Sequence, residues 1–281
     1  MTSRPGLADA KQSAWFDSGG APRLRDSFVL FMDLLGTRGV RAGAESLDHL
    51  LLVRDAVSRA RAACLPADGE DSVAMRWFSD NLAIACPVGD AHATSRLLQL
   101  LVEASYLQVA FVTAGLVGRG AIARGAFFAD GAFIYGPALE RAVVLEHSRA
   151  IHPRCVLDEA SIAVANHGLT VEHRRGSGSP WRAQLAADSS GAVFVDYLAV
   201  AHDDPASYGI EIDELLERHG AVIEENLHRF DGIPSIDAKY RWLAGYHNFV
   251  VEQLGGDQVV KDRRRLPVSR SDHGFRRFAP L

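Results

Sequence analysis

The 281-residue chain has little sulfur and no patterned use of it. Its three cysteines, Cys64, Cys86 and Cys155, stand far apart, with neither a CxxC pair nor a Cys/His spacing suited to zinc. An odd number without a framework argues against a disulfide scaffold and predicts reduced thiols, hence a cytoplasmic setting. No run of about 18 or more uncharged apolar residues occurs. The opening MTSRPGLADAKQSAWFDSGG mixes charges and glycines without an apolar centre, so neither a membrane anchor nor a signal peptide is expected. A basic excess is missing too. The formal net charge of -5 argues against nucleic acid as a partner and leaves small anions to a local site. No glycine-rich dinucleotide fingerprint and no Ser-His-Asp or Cys-His arrangement is legible. The eleven histidines are scattered, and His147, His152 and His247 read as core or surface residues.

What is present begins with Phe28-Val29-Leu30-Phe31-Met32-Asp33-Leu34-Leu35-Gly36-Thr37, an apolar strand that ends in a carboxylate and a glycine turn. A buried carboxylate needs a partner, which is a cation, a helix N-terminus or a hydrogen-bonding turn. A second carboxylate lies at the tip of a hairpin. Met75 to Pro87 reads as two apolar strands around Ser79-Asp80-Asn81, which is also ordinary turn chemistry. Together Asp33 and Asp80 form a candidate two-carboxylate cation site. Downstream, Arg119 to Gly125 followed by Phe127 to Ala142 reads as two strands joined by an Asp130-Gly131 turn and then a helix entered through Gly136-Pro137, where a missing N–H costs nothing.

Helices are expected over Glu45 to Leu65, through the stripe Leu47, Leu50, Leu51, Val53, Ala56 and Val57, and over Ala91 to Ala114. A further strand is expected near Cys155 to Leu157. The order β, α, ββ, α, ββ, α, β predicts an α+β fold, a mixed or antiparallel sheet covered by helices on one face. Residues 1–25 read as a loosely docked arm. Beyond residue 160 the signal fades: residues 174–180 are a loop by composition, Ala192 to Leu198 a strand candidate, and Tyr208 to Leu254 two helices broken around Asp231-Gly232-Ile233-Pro234. Tyr240, Trp242, Leu243, Tyr246 and Phe249 fall on one helix face and read as core. Lys261 to Arg265 and Arg276-Arg277 read as a basic tail.

In order, FMDLLGT, RWFSDNLAIACP, RGAIARGAFF and IYGPALERAVVLE resemble the class III nucleotidyl cyclase domain over about residues 26–160. Within that family, FSDNLAIACP, YGPALERAVVLEHSRAIHPR and KYRWLAGYHN are similar to the bacterial pyrimidine cyclases, which make cyclic UMP or cyclic CMP as an antiphage alarm. The resemblance implies an arm at 1–25, a cyclase domain at 26–200 and a C-terminal helical extension with a basic tail at 201–281. It implies two divalent cations, Mn²⁺ or Mg²⁺, on Asp33, Asp80 and the Leu34 carbonyl. Leu35, Gly36 and Thr37 would cradle the phosphates of a nucleoside triphosphate by their backbone N–H groups. It further implies a homodimer with composite active sites, no membrane association, and a separate effector protein that reads the product.

Three positions depart from the purine-cyclase pattern. The transition-state asparagine and arginine are replaced by Glu140 and Val144, neither of which donates the required hydrogen bonds. Arg154, Arg141 and Arg149 are candidate replacements, Arg154 favoured by its IHPR wording, each with a surface-charge alternative. Arg76 and Phe133 stand where lysine and the adenine-reading aspartate are expected. An arginine donates to the carbonyl oxygens of uracil or cytosine and a ring stacks on either, so UTP is expected ahead of CTP. The alternatives are a catalytically silent cyclase-like dimer that binds nucleotide, and a cyclase for CTP or a purine triphosphate.

Overall fold

A computed structural model of the chain describes residues 14–35, 45–64, 73–88, 93–175, 184–261 and 273–278. Its organising element is β1 (Arg25–Leu35). Strand β1 lies inside the sheet, antiparallel to β3 (Asn81–Pro87) on one side and to β4 (Val117–Ala129) on the other, and residues Phe28 to Met32 are buried on both faces. Helix α1 (Glu45–Cys64) precedes the hairpin of β2 (Ala74–Phe78) and β3, and α2 (Ala93–Thr113) leads to β4 and the short β5 (Ile134–Tyr135). Helix α3 (Pro137–Arg149), β6 (Cys155–Leu157) and α4 (Glu159–Arg175) follow. Beyond them come β7 (Leu185–Ala187), β8 (Val193–Val195), α5 (Tyr197–Asp203), α6 (Pro205–Tyr208), α7 (Ile212–Arg229), α8 (Pro234–Leu254) and β9 (Arg276–Arg277). The sheet runs β2-β3-β1-β4-β6-β8-β7-β9, with β6 parallel to β4 and the other described pairings antiparallel, so the fold is α+β with a mixed sheet.

Alternation along β1 separates two apolar layers. Phe28, Leu30, Met32 and Leu34 meet Leu97, Leu100, Leu101, Leu107 and Phe111 of α2, the stripe that helical spacing demands. Val29 and Phe31 face the other way, toward Ala138 and Ala142 of α3. The sheet is thus covered on both faces, not on one. The reason is side-chain size across elements: the alanines of α3 and the alanine rows Ala83, Ala85 and Ala123 of the sheet let helix and sheet approach closely.

Several other expectations change. Trp15 is buried edge-on against Phe127, and the Arg23 N–H bonds the Trp15 carbonyl, so the described part of the arm is anchored by an aromatic ring that composition alone does not reveal. Val53 and Ala56 of α1 point inward while Leu47, Leu50 and Leu51 are exposed, which splits the predicted stripe. The loop read at 174–180 begins after α4, whose helix the sequence pattern did not mark, and residues 176–183 lie outside the described ones. Ala192 to Leu198 holds β8 and then turns into α5, capped by the Asp196 side chain. Arg276 and Arg277 are the strand β9, paired with β7, and Arg263 to Arg265 lie outside the described residues.

The last two helices share the main core. Tyr240, Trp242, Leu243, Tyr246 and Phe249 are buried with Phe194 and Leu198. A polar chain threads this layer: the Gln258 carbonyl is 2.7 Å from His247 Nε2, His247 Nδ1 is 2.9 Å from His219 Nδ1, and His219 Nε2 is 2.5 Å from the Tyr197 hydroxyl. A carbonyl only accepts, so His247 carries its proton on Nε2 and accepts at Nδ1. His219 then donates from Nδ1 and accepts from Tyr197. Burial lowers the pKa of both rings, which favours the neutral forms that this arrangement of donors and acceptors uses.

Candidate functional site

Asp33 sits next to last but one in β1, opposite Asn81 of β3 and Arg119 of β4. The β2–β3 hairpin closes through Ser79 and Asp80, with Ser79 held at φ 56°, a left-handed conformation that a residue other than glycine adopts at a cost of about 1 kcal/mol. The Leu34 N–H donates to the Asp80 carbonyl at 3.0 Å. This bond ties the end of β1 to the hairpin tip, so Asp33 and Asp80 stand at one end of the sheet. In an antiparallel strand a residue's N–H and C=O face the same neighbour, which turns the Leu34 carbonyl toward the hairpin as well. Leu35 ends β1, and Gly36 and Thr37 lie outside the described residues.

The Asp33 carboxylate is partly buried and accepts a hydrogen bond from Arg119 Nη2 at 3.2 Å. Arg119 Nε lies 2.7 Å from Glu146 Oε1 of α3. Burial pushes the Glu146 carboxyl above its usual range, partly offset by the Arg119 charge and reinforced by Asp33. Arg119 and Glu146 stand in the sequence only inside the motifs RGAIARGAFF and IYGPALERAVVLE, with no role marked for either. The signal that finds Arg119 is its register opposite Asp33; that for Glu146 exists only once α3 is packed on this face.

A second cluster lies where β4 bends into β5. Arg76 Nη1 donates to the Met75 carbonyl at 2.9 Å, and its Nη2 donates to the carbonyl of Asp130 in the β4–β5 turn. The Asp130 carboxylate accepts the N–H groups of Phe133 and Ala132 at 2.9 and 2.6 Å, and these bonds hold its pKa below the ordinary value. Arg76 and Phe133 are therefore joined through one turn. The Phe133 ring is 55% exposed beside Phe128, and Phe78, 48% exposed, contacts Phe31 on the face that carries Asp33. Arg76 shares that face, since it stands opposite Ala83, which stands opposite Phe31.

Arg154 is not with these groups. Its guanidinium is buried against the Asp188 carboxylate, donates to the Arg149 carbonyl at 2.9 Å and stacks on Trp242 with its carbon 5.4 Å from the ring centroid. Burial would raise the Asp188 pKa, but the Ser190 hydroxyl, Arg154 and the Trp242 N–H together hold it below the ordinary value. The physical reason is that IHPR leads into β6, flush against the aromatic layer of α8, where a cation survives only when paired. Arg141 bonds the Arg124 carbonyl at 2.8 Å and lies 3.6 Å from Asp158, and Arg149 is exposed at the end of α3. Glu140 and Val144 are exposed on α3.

The oxygen donors at the end of β1 are of the hard kind that Mg²⁺ and Mn²⁺ take, and such ions need only one or two carboxylates when phosphates complete the shell. By donor chemistry the residues fit. Among the described residues no group of three His, Cys, Asp or Glu side chains is placed to hold a metal ion, and no helix is long and apolar enough to cross a membrane.

No protein-family model matches the chain, and no curated protein matches it. Among solved structures, the crystal structure of the guanylyl cyclase Cya2 is similar at 10% identity with a TM-score of 0.42, covering 61% of this chain and 91% of that one.

Proposed function

We propose that the protein is a nucleotidyl cyclase that converts UTP to 3′,5′-cyclic UMP and pyrophosphate, as a second messenger of antiphage defence read by a separate effector. The observation that carries this reading is the tie between Leu34 and Asp80, which sets two carboxylates and a carbonyl at one sheet end, in the strand-plus-hairpin order that the sequence motifs imply. In the reaction the ribose 3′-oxygen bonds to the α-phosphorus, its proton leaves to solvent, and pyrophosphate departs from the opposite side. Asp33, Asp80 and the Leu34 carbonyl would hold two divalent cations, which when bound lower the hydroxyl pKa and neutralise phosphate charge. Leu35, Gly36 and Thr37 remain assigned to the triphosphate. Arg76 keeps N–H donors beyond the two it spends on carbonyls, and these would meet the uracil oxygens while Phe133 offers its exposed ring for stacking. The exposed apolar side chains Phe78, Phe133, Tyr135 and Val144 support a homodimer with composite sites.

Arg154 is left with a supporting role in this account, because its guanidinium already has its partners. The same fact favours a second reading, a silent cyclase-like domain that binds nucleotide and signals through its dimer. One experiment separates the two. Purified protein is incubated with each of the four ribonucleoside triphosphates and Mn²⁺ or Mg²⁺, and products are identified by mass. Cyclic UMP from UTP, lost in folded Asp33→Asn and Asp80→Asn, supports the cyclase. Nucleotide binding without any cyclic product supports the silent domain, and a preference for another base overturns the assignment of Arg76 and Phe133.

A further inference from the structure

Arg119 stands between two carboxylates and is fully aligned with neither. Its Nη2 bond to Asp33 is 3.2 Å long, beyond the 2.7–2.9 Å common for charge-assisted N–H···O bonds. Its Nε is 2.7 Å from Glu146 Oε1, yet neither atom has a hydrogen bond, so the N–H is not directed at that oxygen. All three side chains are largely buried, with 12% of Arg119, 17% of Asp33 and 6% of Glu146 exposed. Water therefore does little to replace a lost partner, and a carboxylate here needs a cation. Two carboxylates on different elements, β1 and α3, share a single guanidinium presented by β4. Lys239 adds positive charge around Glu146.

We propose that Arg119 is an exchangeable counter-ion: it neutralises Asp33 while no divalent cation is present and turns wholly to Glu146 when a cation takes Asp33. Glu146 is then a positioning residue, remote from substrate, whose task is to receive the displaced guanidinium. The inference rests on the reading that Asp33 binds a divalent cation. Without Glu146, the arginine displaced from Asp33 would be left buried and unpaired, so cation binding becomes harder. Without both Arg119 and Glu146, the Arg119 guanidinium no longer competes for Asp33 and is not left buried and unpaired when a cation binds.

Mn²⁺ binding by electron paramagnetic resonance tests this without turnover, using the full chain with Mn²⁺ alone and with a non-cyclisable UTP analogue. Wild type should bind and Asp33→Asn should not. Glu146→Gln should weaken Mn²⁺ binding at least about tenfold, as changes behind a ligand do elsewhere, and adding Arg119→Gln should restore it. A residue that merely packs α3 gives no such rescue, since the double change removes more of the packing. Should Glu146→Gln not fold, Glu146→Asp, which keeps the charge and moves it back by one methylene, should weaken binding in the same direction. Unchanged Mn²⁺ affinity in either folded variant, with Asp33→Asn still inactive in binding, overturns the counter-ion role and leaves the cyclase reading standing. No Mn²⁺ binding by wild type, even with the analogue, overturns both.

Discussion

Two arginines show how the same side chain serves different ends. Arg76 faces a turn and retains N–H donors, so Arg76→Ala should leave the fold within about 1 kcal/mol and lower UTP turnover roughly tenfold or more, with less effect on binding of the triphosphate. Kinetics on UTP and CTP check this, and an unchanged base preference would remove Arg76 from the pocket. Arg154 is buried on Asp188, so Arg154→Ala should cost about 3–5 kcal/mol in urea unfolding, because it leaves the carboxylate without its cation. Turnover by the folded fraction should persist. Lost turnover at unchanged stability would return Arg154 to the reacting phosphates. Motif wording made Arg154 attractive, and nothing in the sequence marks Asp188 and Trp242 as its partners, since they lie 34 and 54 residues from it and from Asp188 respectively.

Helix α3 depends on one glycine. Gly136 has φ 145°, and a Cβ added there would stand 2.4 Å from the Ala126 carbonyl oxygen, a clash with backbone that no rotamer relieves. Gly136→Ala should therefore destabilise the protein by about 3 kcal/mol or more and loosen α3, carrying Glu146 away from Arg119. Gly131 in the neighbouring turn is the control: an added Cβ meets nothing within 4 Å, and Gly131→Ala should change stability by no more than about 0.5 kcal/mol. Thermal unfolding of both variants checks the contrast. The Gly136-Pro137 pair was legible as a helix start because proline fits the first helical turn. The close approach that forbids a side chain was not, because it involves β4 rather than the residue's own neighbours.

Across the whole molecule, the histidine chain fastens α7 and α8 to α5 and makes their docking sensitive to acid. Burial lowers the pKa of His219 well below its ordinary 6.5 and, for His247, lowers it while the bond to the Gln258 carbonyl works the other way. As pH falls below about 6.5 the unfolded chain takes up protons at these positions and the folded chain does not. Each histidine therefore removes up to about 1.4 kcal/mol per pH unit until its folded pKa is reached. Glu103, raised to about 7, Asp196, raised to about 6, and Glu146, also raised, are all shifted mainly by burial and oppose this trend, since they hold protons in the fold that the unfolded chain has released. The comparison to make is thus between variants. Glutamine offers a donor and an acceptor but no titration, so His247→Gln should show a smaller loss of stability between pH 7.5 and 5.5 than wild type in urea unfolding. Equal losses would mean that the chain is not held neutral.

The sequence by itself determined the run of elements from β1 to β6, the hairpin that carries Asp80, the break between α7 and α8, and the α+β class. These follow from local periodicity and turn chemistry, which neighbouring residues settle among themselves. Tertiary structure alone decided that α3 covers the second face of the sheet, that Trp15 is anchored on Phe127, that Arg154 belongs to Asp188 and that Arg119 is shared by Asp33 and Glu146. Each of these joins residues from different elements, and their pairing is fixed by sheet order, curvature and helix packing, which no window of sequence contains.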